Sequence, residues 1–163
     1  MRDKRIIIAG NRNYEDKKKI FEVCFNILKN EYPSEIEIVH GNAPGVDRIG
    51  KDFAKQIDVP HIPFPAKWKD FSKPCKMKNG KYGEYNVLAG FNRNEKMAEY
   101  GNVLIAFWDG KEKSGTKDMI ERAEKHDIEI FIYRYDIDKL EHSPIKRILN
   151  YENPDEKGDS EKT

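Results

Sequence analysis

The sequence predicts an α/β fold, a doubly wound parallel sheet of about five strands in the order 3-2-1-4-5 with helices on both faces. Three observations predict it. Short apolar runs and segments of helical period alternate along the chain. The runs are continuous rather than alternating, as in strands buried on both faces. The stretches that follow them are rich in Gly, Asn and Ser, the residues of turns and helix starts.

The elements follow in order. Arg5–Ala9 (RIIIA) reads as the first strand. Tyr14–Glu31 carries Ile20, Phe21, Cys24, Ile27 and Leu28 on one helical face, and Pro33 with Ser34 breaks it. Glu35–His40 (EIEIVH) is the second strand, and Val46–Ile57 a helix turning Val46, Ile49, Phe53 and Ala54 inward. Val59–Phe64 is an extended third segment, edge-like because of its prolines. Ala66–Val87 breaks the rhythm. It interleaves Lys67, Lys69, Lys73, Lys76, Lys78 and Lys81 with Trp68, Phe71, Tyr82 and Tyr85, and reads as a long loop or lid. Leu88–Tyr100 is a helix, and Val103–Trp108 (VLIAFW) the strongest strand. Thr116–Lys125 is a helix, Ile128–Tyr133 the last core strand, and Ile137–Asn150 a C-terminal helix. One domain over 1–150 is expected, with an insertion at 66–87 and a disordered tail at 151–163 that is almost free of apolar residues.

Composition narrows the function. The 163 residues are 36% charged and 37% hydrophobic, with a net charge of +1, so any polyanion would need a local patch. No apolar run approaches the roughly 20 residues that span a bilayer, and MRDKRIIIAG reads as a first strand rather than a signal peptide. No membrane partner is expected. Cys24 and Cys75 form no motif, which fits a reducing, cytoplasmic location. Neither a metal nor a cofactor is implied.

In such a sheet ligands bind beyond the carboxyl ends of the strands, at the switch point between strands 1 and 4. Four loops are therefore singled out. In AGNRNY, Gly10 permits close backbone approach and Arg12 can pair with a phosphate, or Asn13 caps a helix with Arg12 in solvent. In HGNAPGVD, Gly41 and Gly45 flank a tight turn before a helix start; Asp47 either caps exposed amides or accepts from a ribose. In AGFNRNEKMAE, Asn92 and Glu95 have the spacing of a capping box, which puts the cation Arg93 in a first turn where it opposes the helix dipole. In WDGKEKSGTKDM, Ser114, Gly115 and Thr116 offer hydroxyls and free amides at a helix start, suited to phosphate, to capping or to both.

The ordered set IIIAGNRNY, VHGNAPGVDRIG, PFPAKW, AGFNRNEKM and FWDGKEKSGTKDM, from about Ile6 to Tyr133, resembles the SLOG superfamily and its small YspA-like group. That resemblance implies a modified Rossmann-like fold that binds nucleotides or nucleotide-derived ligands. It implies ligand-binding roles for Gly10, Asn11, Arg12, Gly41, Asn42, Gly45, Asp47, Lys67, Trp68, Gly90, Arg93, Asn94, Trp108, Ser114, Gly115 and Thr116. Self-association as a homo-oligomer is implied in the same way.

The superfamily includes lonely-guy phosphoribohydrolases, sensor domains for cyclic ADP-ribose variants, and DprA, which binds single-stranded DNA. Lonely-guy enzymes use an Arg, matched by Arg93, and a Glu in P-G-G-x-G-T-x-x-E. Gly115 and Thr116 match the Gly-Thr, but Met119 stands at the Glu, and Glu112-Lys113-Ser114 replaces the Pro-Gly-Gly. Met119 can neither activate water nor stabilise an oxocarbenium centre, which leaves Arg93, Asp118 and Asp47 as catalytic candidates.

Three functions follow in order of expectation. The first is binding of a small phosphorylated nucleotide of ADP-ribose or cyclic ADP-ribose type, as a sensor or sequestering protein, with Trp68 stacking on the base and Lys67 meeting phosphate. The second is a nucleotide N-glycosidase. The third is single-stranded nucleic-acid binding through Ala66–Val87, ranked last because the chain is nearly neutral. A small-molecule nucleotide is thus the expected partner, and nucleic acid is not.

Overall fold

The computed structural model describes residues 3–29, 35–72 and 74–144. Its centre is a six-stranded sheet of order β3-β2-β1-β6-β7-β8, formed by β1 (Lys4–Gly10), β2 (Ile36–His40), β3 (His61–Pro63), β6 (Val103–Trp108), β7 (Glu129–Arg134) and β8 (Lys139–Ser143). The five strands from β3 to β7 pair in parallel, in the predicted 3-2-1-4-5 arrangement, and β8 adds an antiparallel edge. Helices α1 (Lys17–Leu28), α2 (Val46–Gln56), α3 (Ala89–Tyr100) and α4 (Gly115–Lys125) complete the wrap.

The continuous apolar runs have the cause expected of them. Ile6, Ile8, Ile38, Ile105 and Phe107 face one layer with Ile20, Cys24, Val46 and Phe53 of α1 and α2. Ile7, Ala9, Val39, Leu104 and Ala106 face the other, with Met97, Ala98, Met119 and Ile120 of α3 and α4. Every residue of β6 is buried. Each large apolar side chain among them contributes about 1.5–3 kcal/mol, so neither face can be turned to water. Burial also pushes the Cys24 thiol far above its ordinary pKa, which makes it a small core residue.

Three expectations change. The stretch at 66–87 is not all loop: Met77–Gly80 (β4) and Gly83–Asn86 (β5) form an antiparallel hairpin separate from the main sheet. Its strands are largely exposed, so no apolar alternation marked them. The C-terminal helix at 137–150 is replaced over its described part by β8. Arg134 grips Asp136 through Nε and Nη2 at 2.9 and 2.7 Å, and Asp138 turns the chain back with a φ of 48°. His142 then stacks on Phe131 with centroids 4.1 Å apart. The rest of that segment and the tail at 151–163 lie outside the described residues. Finally, α3 begins at Ala89 after an uncapped Leu88, so Asn92 and Glu95 form no capping box. Asn92 donates instead to the Pro74 carbonyl, and Glu95 pairs with Arg122 and His126. Arg93 thus sits in the second turn, where the dipole argument against a cation lapses.

Capping differs in detail too. Asp16, not Asn13, caps α1 by accepting from the Lys19 amide, while Ser114 caps α4 by accepting from the Lys117 amide at 3.1 Å. Among the described residues no helix is long and apolar enough to cross a membrane.

Candidate functional site

Strand β1 feeds helices and strands to one side and β6 to the other, so their carboxyl ends diverge. A pocket of about 530 Å³ opens there. Gly10, Asn11, Arg12 and Asn13 form one wall, Ala43 and Asp47 a second, Gly90, Phe91, Arg93 and Asn94 of α3 a third. Gly115 and Thr116 of α4 close the far side, Trp68 and Val87 lean over from the 66–87 excursion, and Met97 and Met119 line the base.

The β2–α2 loop is the most constrained wall. Gly45 caps α2 with φ 81°, and a Cβ there would lie 2.3 Å from the Arg12 carbonyl oxygen. Only glycine meets both demands. Asn42 is also left-handed, at φ 56°, and its amide donates to His40 Nδ1 at 3.1 Å. That bond makes Nδ1 of His40 an acceptor, so Nε2 carries the proton and donates to His61 Nδ1 at 3.1 Å. His40 is fully buried, and burial, with His61 and Lys51 nearby, lowers its pKa to about 4.

Asp47 lies in the first turn of α2 at 5% exposure. Burial raises its pKa to about 6, against the opposing pull of Arg93 and of the amides of Ala43, Gly10 and Gly41 that donate to it. It therefore gathers loop amides from β1 and β2 rather than capping its own helix. The same crowding explains Gly41, where a Cβ would meet Arg93 Nη1 at 2.2 Å and Asp47 Oδ2 at 2.6 Å.

Arg93 is held from behind. Its Nη1 donates to the carbonyls of Gly41 at 2.7 Å and Phe64 at 3.4 Å, and its Nε to Asn94 Oδ1 at 3.0 Å. Nη2 has no hydrogen-bond partner among the described residues. Burial and the neighbouring Arg12 depress the pKa of Arg93, Asp47 raises it, and the guanidinium stays charged. Asn94 passes this order to α4, donating to the Gly115 carbonyl at 3.2 Å and to Asp118 Oδ2 at 3.0 Å. The first-turn amides of α4 lack intrahelical partners and carry partial positive charge. Two cations, a helix N-terminus and two half-exposed aromatic rings, Trp68 and Phe91 at 39% each, thus share one pocket with a single carboxylate.

Of the residues expected at the site, Gly10, Asn11, Arg12, Asp47, Trp68, Gly90, Arg93, Asn94, Gly115 and Thr116 line this pocket. The others do not. Gly41 and Asn42 face an adjoining cavity and Lys67 another. Gly45 shapes the turn behind the wall. Trp108 is buried, donates through Nε1 to the Lys111 carbonyl, and lies between Lys117 and Arg134. Ser114 and Asp118 line a neighbouring cavity that shares Phe91 and Gly115 with the pocket, and Asp118 is bonded to Asn94 and Arg122. Asn13, Ala43, Val87, Phe91, Met97 and Met119 line the pocket without having been singled out for binding. The exposed phenylalanine of AGFNRN was the one legible sign among them. Glu95, Glu99 and His126, away from the pocket, carry ligand atoms within 4.8 Å of one another, but Glu95 is already bonded to Arg122 and His126.

Fold and pocket together define a Rossmann-like α/β protein with an open switch-point site. Residues 4–71 match the model of the YspA, cpYpsA-related SLOG family. Over that stretch the match agrees with the resemblance that the motifs carry. Among solved structures it is similar to DNA processing protein A from Helicobacter pylori, described for its single-stranded DNA binding mode. The TM-score is 0.59 at 21% identity, covering 91% of this chain and 72% of that one. It is also similar to DNA processing protein A (DprA) from Streptococcus pneumoniae, with a TM-score of 0.56 at 22% identity, over 79% of this chain and 49% of that one. At such identities the likeness is one of fold. No curated protein sequence matches the chain. These neighbours correct one expectation: nucleic acid cannot be set aside as a partner when the same fold serves a protein with a single-stranded DNA binding mode. Net charge alone does not decide the matter, because a local cationic pocket suffices for a polyanion.

Proposed function

We propose that this protein binds single-stranded nucleic acid and takes one nucleotide of the strand into the switch-point pocket. The observation that carries the reading is the meeting of Arg12, Arg93, the α4 N-terminus, Trp68 and Phe91 around one cavity. A phosphate suits the α4 amides and the free Nη2 of Arg93. A base suits the exposed aromatic faces, where stacking is worth about 1–3 kcal/mol and tolerates any sequence. The fold shared with DNA processing protein A supports the polymer over a free ligand.

The test is fluorescence anisotropy with a labelled oligothymidylate across a salt series. Binding should weaken steadily with salt, and Trp68→Ala should weaken it about 5- to 150-fold, the equivalent of one lost stack. Binding that ignores both salt and Trp68 would sink the reading.

A second reading, a free phosphorylated nucleotide of ADP-ribose type, is favoured by the bounded size of the pocket, about 530 Å³. Calorimetry separates the two: a nucleoside monophosphate or ADP-ribose that binds as tightly as the oligonucleotide supports the free ligand. Hydrolysis draws less support, since Met119 is buried and Asp47 is committed to three loop amides. Chromatographic release of free base from nucleoside monophosphates tests it directly.

A further inference from the structure

Arg93 lines three cavities, not one. Beside the switch-point pocket, a small cavity bounded by Arg12, Pro65 and Trp68 continues the opening. Beyond it, a cavity of about 430 Å³ lies at the root of the hairpin. Trp68 is common to the first two and Pro65 to the last two, so the three run in sequence around the base of the 66–87 excursion. The two carbonyls that hold Arg93 Nη1 belong to this path as well, Gly41 lining the middle cavity and Phe64 the last.

The last cavity has its own chemistry. Lys67 enters from the excursion and Lys96 from α3, both exposed, opposite an apolar wall of Phe64 and its flanking prolines. Asp70 is the one carboxylate on the lining, and it is occupied by the Ser72 amide at 2.9 Å and hydroxyl at 2.5 Å. With Arg93, three cations face one carboxylate. An apolar wall with cations above it suits a sugar and base with their phosphate, the repeating unit of a strand.

We infer that this cavity is a second subsite for single-stranded nucleic acid, taking the nucleotide adjacent to the one in the switch-point pocket, with Arg93 between them at the linking phosphate. The inference rests on the nucleic-acid reading above. It explains why Arg93 is fixed through Nε and Nη1 while Nη2 stays open: one rigid guanidinium serves two neighbouring nucleotides.

The experiment compares a labelled oligothymidylate with thymidine 5′-monophosphate as probes, using the full chain, Lys67→Ala/Lys96→Ala, and Lys55→Ala on α2 as a charge control. Lys67 and Lys96 are exposed, so the double variant should fold; circular dichroism checks this. The double variant should bind the oligonucleotide about 10-fold more weakly at low salt. Its logarithmic salt dependence should fall by about 0.7 or more, the release from one single-strand phosphate. Its affinity for the monophosphate should be unchanged, and Lys55→Ala should match wild type with both probes. An oligonucleotide that binds wild type and the double variant with equal affinity and salt dependence overturns the second subsite and leaves the first pocket standing. An oligonucleotide that does not bind wild type at all overturns both.

Discussion

The loop after β2 and the excursion between β3 and α3 face the same pocket, yet they are held in different ways. The β2–α2 loop is fixed by burial: His40 and Asp47 are almost wholly enclosed, and two of its residues, Asn42 and Gly45, have positive φ. The excursion is fixed by local bonds around exposed strands. Asn86, 1% exposed, accepts from the Lys76 and Leu88 amides and donates to the Asp70 and Pro74 carbonyls. Lys69 clasps the Tyr82 and Glu84 carbonyls. Meanwhile Tyr82 at the hairpin tip is 83% exposed. The wall that braces Arg93 through the Gly41 carbonyl is thus set by the core, whereas the wall that presents Trp68 can be loosened without unfolding the sheet.

The largest expected difference comes from placing the same strain on each wall. Gly45→Ala combines a positive φ with a Cβ 2.3 Å from backbone, and should cost more than about 3 kcal/mol in urea unfolding. Gly83→Ala, at φ 98° but with its nearest atom 3.5 Å away on a flexible lysine, should cost about 1–2 kcal/mol, all of it in the hairpin. Equal costs would break the contrast.

Next is pH, which acts on the β2–α2 loop through two opposed groups. Asp47, raised from 3.8 to about 6, stabilises the fold most below about pH 4 and loses that contribution as pH rises through about 6. His40, lowered from 6.5 to about 4, stabilises the fold above about pH 6.5 and loses that contribution as pH falls through about 4. The slopes oppose each other across the same window. Relative to wild type, Asp47→Asn should therefore gain about 3 kcal/mol between pH 4 and 6.5, and His40→Asn should lose about as much. Chemical denaturation at several pH values reads both, and parallel curves for the variants would refute the pairing.

Asn86→Ala should cost about 2 kcal/mol by removing the four hydrogen bonds of a buried side chain. Limited proteolysis should then cut the hairpin while the sheet survives. The smallest effect is expected at Gly115→Ala, where a Cβ meets nothing within 4 Å. Stability should change by less than about 1 kcal/mol, so any larger loss of oligonucleotide binding reports the ligand rather than the fold.

The same contrast explains what could be read from the chain. Strands β1, β2 and β6 are buried on both faces, and that burial writes itself as IIIA, IEIV and VLIAFW. The β4–β5 hairpin and β8 are exposed, so nothing in MKNG, GEYN or KLEHS had to be apolar. Where a helix was expected from Ile137, the Arg134–Asp136 pair and the left-handed Asp138 make a turn instead, and the chain returns as β8 from Lys139. At the site, Gly10, Arg12, Arg93 and the Gly115-Thr116 pair were legible because their loops follow strand ends. Met97 and Met119 were not, since as core residues of α3 and α4 nothing distinguishes their pocket-facing atoms in sequence. The His40–His61 bond needs the parallel register of β2 and β3, which no local pattern encodes.

The two margins of the sheet have a consequence for handling the protein. At one side β3 is three residues long and ends in Pro63, which has no N–H to offer a further strand. At the other, β8 carries Lys139, Glu141 and His142 along a fully exposed ribbon. Short, proline-bearing and charged borders are poor templates for strand addition by another molecule. The sheet is therefore guarded at both ends against amyloid-like stacking, and concentrated samples should precipitate, if at all, through denatured chains rather than through joined native sheets.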